Sequence, residues 1–167
     1  RGRHFEWVLQ KGTELGIVEF VPVICDRCLM SSLEDISATK ITRWQRIILE
    51  AAEQSGRGRL PRLQSPMLFP QACGKAREEG LTLMLWEGEQ AVSLRERLGR
   101  GALSSTGRRP FSIGLYIGPE GGFSEEEVNL AKGYGIRTAS LGPRTLKAET
   151  AGLIAASAIL YEFGDLG

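Results

Sequence analysis

The sequence has few of the residues from which many catalytic and metal sites are built. It contains one histidine, His4, and three cysteines, Cys25, Cys28 and Cys73, among 167 residues. A Ser-His-Asp triad or a histidine-based metal cluster is therefore not readily assembled. Cys25 and Cys28 form a C-x-x-C pair, but one distant cysteine and one histidine are poor material for completing a closed zinc site. We interpret the thiols as small, buried, apolar side chains and predict no metal site.

The sequence also lacks an excess of charge and a long hydrophobic run. Its 21 Lys and Arg residues nearly balance 20 Asp and Glu residues, which excludes a histone-like polycation. The uncharged stretch near the end, residues 150–161, is twelve residues long, whereas a membrane-spanning helix needs about 20. No secretory signal opens the chain, and three cysteines cannot all pair. We therefore predict a cytoplasmic protein with no membrane partner.

The familiar nucleotide-binding loops are missing. No G-x-x-x-x-G-K-[ST] motif is present, because Gly74 and Lys75 are followed by Ala76. No G-x-G-x-x-G motif follows a predicted strand, and the glycines of residues 56–59 come after a predicted helix. A generic nucleotide-binding α/β protein is therefore disfavoured.

What the sequence does contain is typical of one globular α/β domain. Hydrophobic residues make up 42% and charged residues 25%. Apolar residues at helical spacing, β-branched runs and the Ser124–Glu127 capping box predict the elements. We predict helices over residues 5–15, 41–56, 124–134 and 148–163, and strands over residues 17–25, 81–86, 111–117 and 136–141. We also expect a polar, glycine-rich loop over residues 99–110. Alternating strands and helices favour a largely parallel sheet.

Three strand-to-helix loops are candidates for a ligand site, because parallel sheets bind ligands beyond the carboxyl ends of their strands. Residues 118–122, G-P-E-G-G, are dense in glycine, which favours close approach of a ligand to the backbone over a plain tight turn. Residues 141–150 carry Arg144, Lys147 and Glu149 at a strand end, where a merely solvated loop is equally compatible with the pattern. Residues 86–89 are a weaker third candidate.

One short segment concentrates positive charge. Residues 54–63 contain Arg57, Arg59 and Arg62 and no acidic residue. Arginines on a glycine-rich segment suit the phosphate oxygens of a nucleic acid. A solubilising loop is the alternative interpretation.

Four motifs together resemble one known family. They are F-E-W-V-L-Q-K-G-T-E-L-G (residues 5–16), E-A-A-E-Q-S-G-R-G-R-L-P (50–61), I-G-P-E-G-G-F (117–123) and L-G-P-R-T-L-K-A-E-T (141–150). In this order they closely resemble the RsmE family, the 16S ribosomal RNA uridine N3-methyltransferases of the SPOUT superfamily. Lys147 stands where family members often have Arg, which preserves the charge.

The resemblance implies a fold and an activity. It implies a SPOUT-type α/β domain over residues 1–167, with a mostly parallel sheet flanked by helices and a deep trefoil knot in its C-terminal part. Family members also carry an N-terminal PUA-like RNA-binding domain, which we expect to be absent from this chain. The implied cofactor is S-adenosylmethionine, and the implied partners are 16S ribosomal RNA or the small ribosomal subunit and a second copy of the chain. The second copy would help to complete the active site.

The resemblance also assigns residues. Catalysis would use Arg144 and Glu149. RNA would contact Glu53, Gln54, Arg57 and Arg59. The cofactor would lie against Leu85, Trp86, Ile117, Gly118, Gly121, Gly122, Leu141, Gly142, Leu146 and Thr150.

Uridine N3 carries a proton and is a poor nucleophile until that proton is lost, so the site must supply a base or stabilise the uridinate. Our hypothesis is that Arg144 stabilises the developing oxyanion, while Glu149 accepts the proton or orients its acceptor. A carboxylate in the first turn of a helix also stabilises that helix, which is the alternative role for Glu149. Alternatives for the whole protein are a non-catalytic RNA-binding module of this fold and a SPOUT RNA methyltransferase with a different target.

Overall fold

A computed structural model describes residues 3–76, 80–99 and 112–166 of the chain. The helices are α1 (Arg3–Leu15), α2 (Ala38–Gln54), α3 (Phe69–Lys75), α4 (Leu94–Leu98), α5 (Glu125–Gly133) and α6 (Ala148–Glu162), with a 3-10 turn at Leu33–Asp35. The strands are β1 (Glu19–Phe20), β2 (Val23–Ile24), β3 (Arg62–Leu63), β4 (Met67–Leu68), β5 (Leu81–Leu85), β6 (Ile113–Ile117) and β7 (Arg137–Ala139).

The main sheet is parallel and has β5 at its centre, in the order β6-β5-β7. Successive β5 side chains point to opposite faces, so Leu83 and Met84, both fully buried, belong to different cores. Met84 packs with side chains of α3 and α5, and Leu83 packs with side chains of α4 and α6. This arrangement confirms the predicted α/β class with a largely parallel sheet flanked by helices.

The N-terminal part forms a third core beside this sheet. Leu9 of α1, Phe20 of β1, and Trp44 and Ile48 of α2 are buried together. Here the prediction of one strand over residues 17–25 is wrong. The segment is divided into β1 and β2, which pair in parallel with β3 and β4 in separate small sheets. Pro22 lies between them and has no N–H to donate to a continuous ladder.

The four predicted helices are present in the structure, together with two short helices. The Ser124–Glu127 capping box opens α5, as predicted. The second helix begins at Ala38, earlier than predicted, because the Ser37 side chain accepts a hydrogen bond from the Lys40 amide and caps it. Two short helices, α3 and α4, were not predicted. Most of the predicted loop, residues 100–110, lies outside the described residues.

Two of the three cysteines are buried, as predicted, and Cys28 is half-buried. Cys25 and Cys73 are buried in the core under α3 and α5, and all three thiols are free. Burial raises the pKa of Cys73 to about 11, whereas a hydrogen bond with the Cys25 thiol lowers the pKa of the half-buried Cys28 to about 6.

Over the described ranges no three metal-binding side chains gather at one point. Over the same ranges no helix is both long and apolar enough to cross a membrane.

Candidate active site

The three strands of the main sheet end side by side. Leu85 of β5 pairs in register with Ile117 of β6 on one side and with Ala139 of β7 on the other. Because the strands are parallel, the loops that follow them leave the sheet at one edge. Residues 86–89, 118–124 and 140–147 therefore meet at this carboxyl edge, and these are the loops that sequence analysis singled out.

The loop after β6 is a tight turn built on glycine. The Gly122 amide donates to the Pro119 carbonyl at 2.9 Å, and Gly122 has a φ of +68°, a conformation that side chains disfavour. A Cβ on Gly118 would stand 3.2 Å from the Phe123 ring. Glycine is thus favoured at residue 122 by the turn and at residue 118 by close packing against Phe123.

Side chains of α5 and of a distant segment hold this loop in place. The Glu127 carboxylate accepts hydrogen bonds from the amides of Ser124 and Asp26, each at 2.9 Å. The Ser124 hydroxyl donates to the Asp26 carboxylate at 2.8 Å, and Arg27 Nη1 donates to the Gly121 carbonyl at 2.9 Å. We call Asp26, Arg27 and Glu127 the loop clamp. Sequence analysis missed Asp26 and Arg27, since nothing in the local pattern reveals a contact across about a hundred residues.

The loop after β7 leaves much of its backbone unpaired. Gly142 has a φ of +102°, and its amide donates to the Ser140 hydroxyl at 3.1 Å. Within the described part of the chain, no other backbone amide of residues 141–146 donates a hydrogen bond. Leu141 and Leu146 are half-buried. This loop therefore presents peptide groups beside apolar side chains.

The loop after β5 supplies an aromatic wall. Trp86 is half-buried and packs against the core, with Lys132 Nζ 5.4 Å from the centroid of its ring. A Cβ on Gly88 would collide with the indole. Glu89 fixes the rest of the loop, because it accepts hydrogen bonds from the Thr138 hydroxyl at 2.6 Å and from the Ala91 amide at 2.9 Å. These hydrogen bonds lower the pKa of Glu89.

Glu149 is held at the start of α6. Its carboxylate accepts a hydrogen bond from its own backbone N–H and another from Nδ1 of His4, at 2.8 Å. Both bonds lower the pKa of Glu149, so the side chain is a carboxylate at neutral pH. The side chain of Glu149 is only 13% exposed. His4 was singled out in the sequence only because histidine is scarce.

Two cations lie on the same loop as Glu149. Arg144 and Lys147 are exposed, and the positive charge of Lys147 helps to lower the pKa of Glu149. Across the residues described, Arg144 enters no ion pair with a protein carboxylate. Thr150, half-buried, is in the first turn of α6. The loop can thus present positive charge to an anionic group at the carboxyl edge.

The predicted RNA segment has two different arginines. Arg57 is half-buried, and its guanidinium donates to the carbonyls of Thr13 and Ile17 at 3.0 and 2.7 Å, at the end of α1. Arg59 is exposed, as are Glu53 and Gln54. The structure therefore gives Arg57 a role within the protein, and its contact with RNA stays a prediction.

A cavity of about 260 Å³ lies at the opposite edge of the sheet. It is lined by residues that precede or begin strands, among them Gly80, Leu81 and Arg137. Ligands of parallel sheets bind at the carboxyl edge, and the glycine turn, the unpaired backbone and the cations are at that edge. We therefore place the candidate active site there.

Comparison with known proteins gives a consistent picture. Residues 1–160 match the model of the RNA methyltransferase domain family. The chain is 38% identical to Ribosomal RNA small subunit methyltransferase E of Synechocystis sp. over 95% of its length, and 36% identical to the protein of that name from Bacillus subtilis over 97%. It spans 50% and 62% of those relatives' own lengths.

Two solved structures are also similar to this chain in fold and in sequence. A Legionella pneumophila structure with the bound cofactor SAM has a TM-score of 0.83 and 35% identity, covering 96% of this chain and 62% of that one. Ribosomal RNA small subunit methyltransferase E from Neisseria gonorrhoeae, bound to S-adenosyl methionine, has a TM-score of 0.79 and 30% identity, with the same two coverages. These similarities confirm the resemblance to the RsmE family. The chain belongs to the family of RNA methyltransferase domains.

Proposed function

We propose that this chain is the catalytic domain of an S-adenosylmethionine-dependent methyltransferase that modifies N3 of a uridine in 16S ribosomal RNA. The observation that carries the proposal is the register of the main sheet, which aligns Leu85, Ile117 and Ala139. It brings the loops that the resemblance assigns to the cofactor to one edge. The names and the bound cofactor of the similar proteins support the same activity.

The residues at this edge fit S-adenosylmethionine. The peptide groups of residues 141–146 that have no partner among the described residues suit the donors and acceptors of adenine, and half-buried Leu85, Trp86 and Ile117 offer apolar walls. Gly122 and Gly142 have open space where a Cβ would stand, so a ligand can approach the backbone there. When bound, the cofactor supplies an electrophilic methyl group on a sulfonium.

Arg144 and Glu149 then act on the uridine. N3 must lose its proton, and the negative charge that develops spreads onto the carbonyl oxygens of the base. The exposed guanidinium of Arg144 is suited to stabilise that charge. A general base works best with a pKa near the operating pH, whereas the pKa of Glu149 is lowered. We therefore propose that Glu149 orients the acceptor of the N3 proton, a water molecule, rather than accepting the proton itself.

The RNA would approach along α1. Arg57 holds the carboxyl end of α1 at Thr13, while His4, near the amino end, contacts Glu149. Nine residues of helix separate these points by about 14 Å. A few nucleotides can span that distance, and we propose that RNA on one side of the target base contacts Arg59, Glu53 and Gln54.

We extend the proposal to the C-terminal fold, the oligomeric state, a further domain and the cellular compartment. The chain after β7 returns across the sheet, where a Cβ on Gly152 of α6 would stand 3.3 Å from Ile117 of β6. The resemblance to the family supports a knot in this C-terminal part. On α6, Ile154 and Tyr161 are 48% and 72% exposed and share one face, which supports a homodimer. An RNA-binding PUA-like domain outside residues 1–167 and reaction in the cytoplasm complete the proposal.

Methyl transfer to small ribosomal subunits tests the proposed function. The protein, at its full natural length, is incubated with methyl-labelled S-adenosylmethionine and subunits that lack the modification, and the RNA is digested and analysed by mass spectrometry. We expect label in 3-methyluridine. Label in another nucleoside would indicate a different target, and cofactor binding without any label would favour the non-catalytic RNA-binding module.

A further inference from the structure

The only histidine of the chain joins two helices at the candidate active site. His4 is in the first turn of α1, Glu149 is in the first turn of α6, and Nδ1 of His4 lies 2.8 Å from Oε1 of Glu149. The two residues are 145 positions apart in the sequence. The Glu149 side chain is largely buried, whereas that of His4 is 47% exposed. The contact therefore fixes one oxygen of the carboxylate from the solvent side.

The direction of this hydrogen bond follows from the charge of Glu149. An ionised carboxylate can only accept, so Nδ1 of His4 carries the proton and donates. Both the neutral Nδ1–H tautomer and the imidazolium have this donor. His4 can therefore hold the carboxylate through this donor in either charge state, and a positioning role needs no more than the donor.

The rest of the interface holds the two helices together without this bond. At the far end of α1, a Cβ on Gly16 would stand 3.9 Å from the Leu160 side chain of α6, so the helices lie side by side along most of their length. Glu6 separately ties α1 to α2 through Arg43, at 2.7 Å. Loss of the His4 contact should thus affect the Glu149 side chain much more than the place of α1.

We infer that His4 is a positioning residue of the active site, which fixes the Glu149 carboxylate beside the loop of residues 141–147. The inference rests on the proposed function and goes beyond it, since it adds a residue from α1 to a site otherwise built from strand-to-helix loops. Without His4, the carboxylate keeps only its own backbone N–H as a hydrogen-bond donor among the contacts of the described residues. It is then free to leave the orientation needed beside the target base.

Two substitutions separate positioning from other roles. His4→Leu removes the donor, whereas His4→Asn retains an N–H near the position of Nδ1. Glu6→Gln is the matched control, because it weakens a polar contact of α1 away from the site. The readouts are kcat and KM for methyl transfer, the thermal midpoint, and the pKa of Glu149 measured by NMR.

We expect His4→Leu to lower kcat by about tenfold or more, with a smaller change in KM and an unchanged thermal midpoint, and to raise the pKa of Glu149. His4→Asn should recover most of kcat, and Glu6→Gln should keep the wild-type kcat. Wild-type kcat in His4→Leu would overturn the inference, and so would an unshifted pKa of Glu149 in that variant or a loss of kcat in His4→Asn as large as in His4→Leu. A wild-type protein without any transfer would overturn the proposed function and this inference together, whereas an active wild type beside a fully active His4→Leu overturns this inference alone.

Discussion

Arg57 and Arg59 are two residues apart on one glycine-rich segment but have different surroundings. Arg57 donates to carbonyls at the end of α1, and Arg59 is exposed. A hydrogen bond to a charged group contributes about 1.5–3 kcal/mol, so we expect Arg57→Ala to lower the free energy of unfolding by an amount of that order. Arg59→Ala should leave stability unchanged. Chemical denaturation of both variants measures this difference.

RNA binding is a second test of the exposed Arg59. Arg59→Ala is expected to weaken RNA binding and reduce its dependence on salt by about one phosphate contact. Binding isotherms at several salt concentrations measure that slope. A wild-type slope for Arg59→Ala would indicate that this arginine is a solubilising side chain and does not contact phosphate.

The proposed roles of Arg144 and Glu149 predict different losses. Arg144→Ala removes a charge that acts on the developing oxyanion, and loss of one such donor lowers kcat by about a hundredfold or more. Glu149→Gln keeps the shape and removes the charge, so an orienting role predicts a smaller loss. Steady-state methyl transfer by variants that still bind cofactor measures both. Near-normal turnover in both variants would contradict the assignment.

At the scale of elements, the loop clamp predicts that cofactor affinity depends on residues that precede the main sheet. Arg27→Ala removes the hydrogen bond to the Gly121 carbonyl. Such a bond contributes about 1.5 kcal/mol, so we expect S-adenosylmethionine binding to weaken by up to about tenfold. Calorimetry measures the dissociation constant. Arg46→Ala, which breaks an exposed pair with Glu50 on α2, is the control and should bind normally.

The loop after β5 predicts a pH dependence of stability. Hydrogen bonds from Thr138 and the Ala91 amide lower the pKa of Glu89 in the folded protein. A lowered folded pKa stabilises the fold above the unfolded value of about 4.3, and this contribution is lost as the pH falls through the folded pKa. We expect the thermal midpoint of Glu89→Gln to lie below wild type at neutral pH and to approach it in acid. A constant difference across that range would contradict this account.

Local signals predicted elements better than their boundaries. The Ser124–Glu127 pair predicted the start of α5 because a capping box is a contact between near neighbours. Pro22 favours a strand end because it has no N–H to donate, but only the pairing partners show that β1 and β2 belong to separate sheets. The short helices α3 and α4 have too few residues to show a periodicity.

At the scale of the whole molecule, the alternation of strands and helices predicted a parallel sheet, and a parallel sheet collects its strand-to-helix loops at one edge. The positions of residues 118–122 and 141–147 follow from that rule. The contacts of His4 with Glu149 and of Arg27 with Gly121 do not, because they join segments about a hundred residues or more apart. Such contacts depend on how helices and loops pack in three dimensions, which no local pattern records.

The central claim is that the carboxyl edge of the sheet binds S-adenosylmethionine. Amide hydrogen exchange with and without the cofactor tests it most directly, because it reports where binding protects the backbone. A ligand at 100 times its dissociation constant stabilises the fold by about 2.7 kcal/mol, so a thermal shift should accompany the protection. We predict new protection concentrated at residues 86–89, 118–122 and 140–147. Protection centred instead on the cavity at Gly80, Leu81 and Arg137 would contradict the account. The absence of any new protection at a saturating concentration of the cofactor would also contradict it.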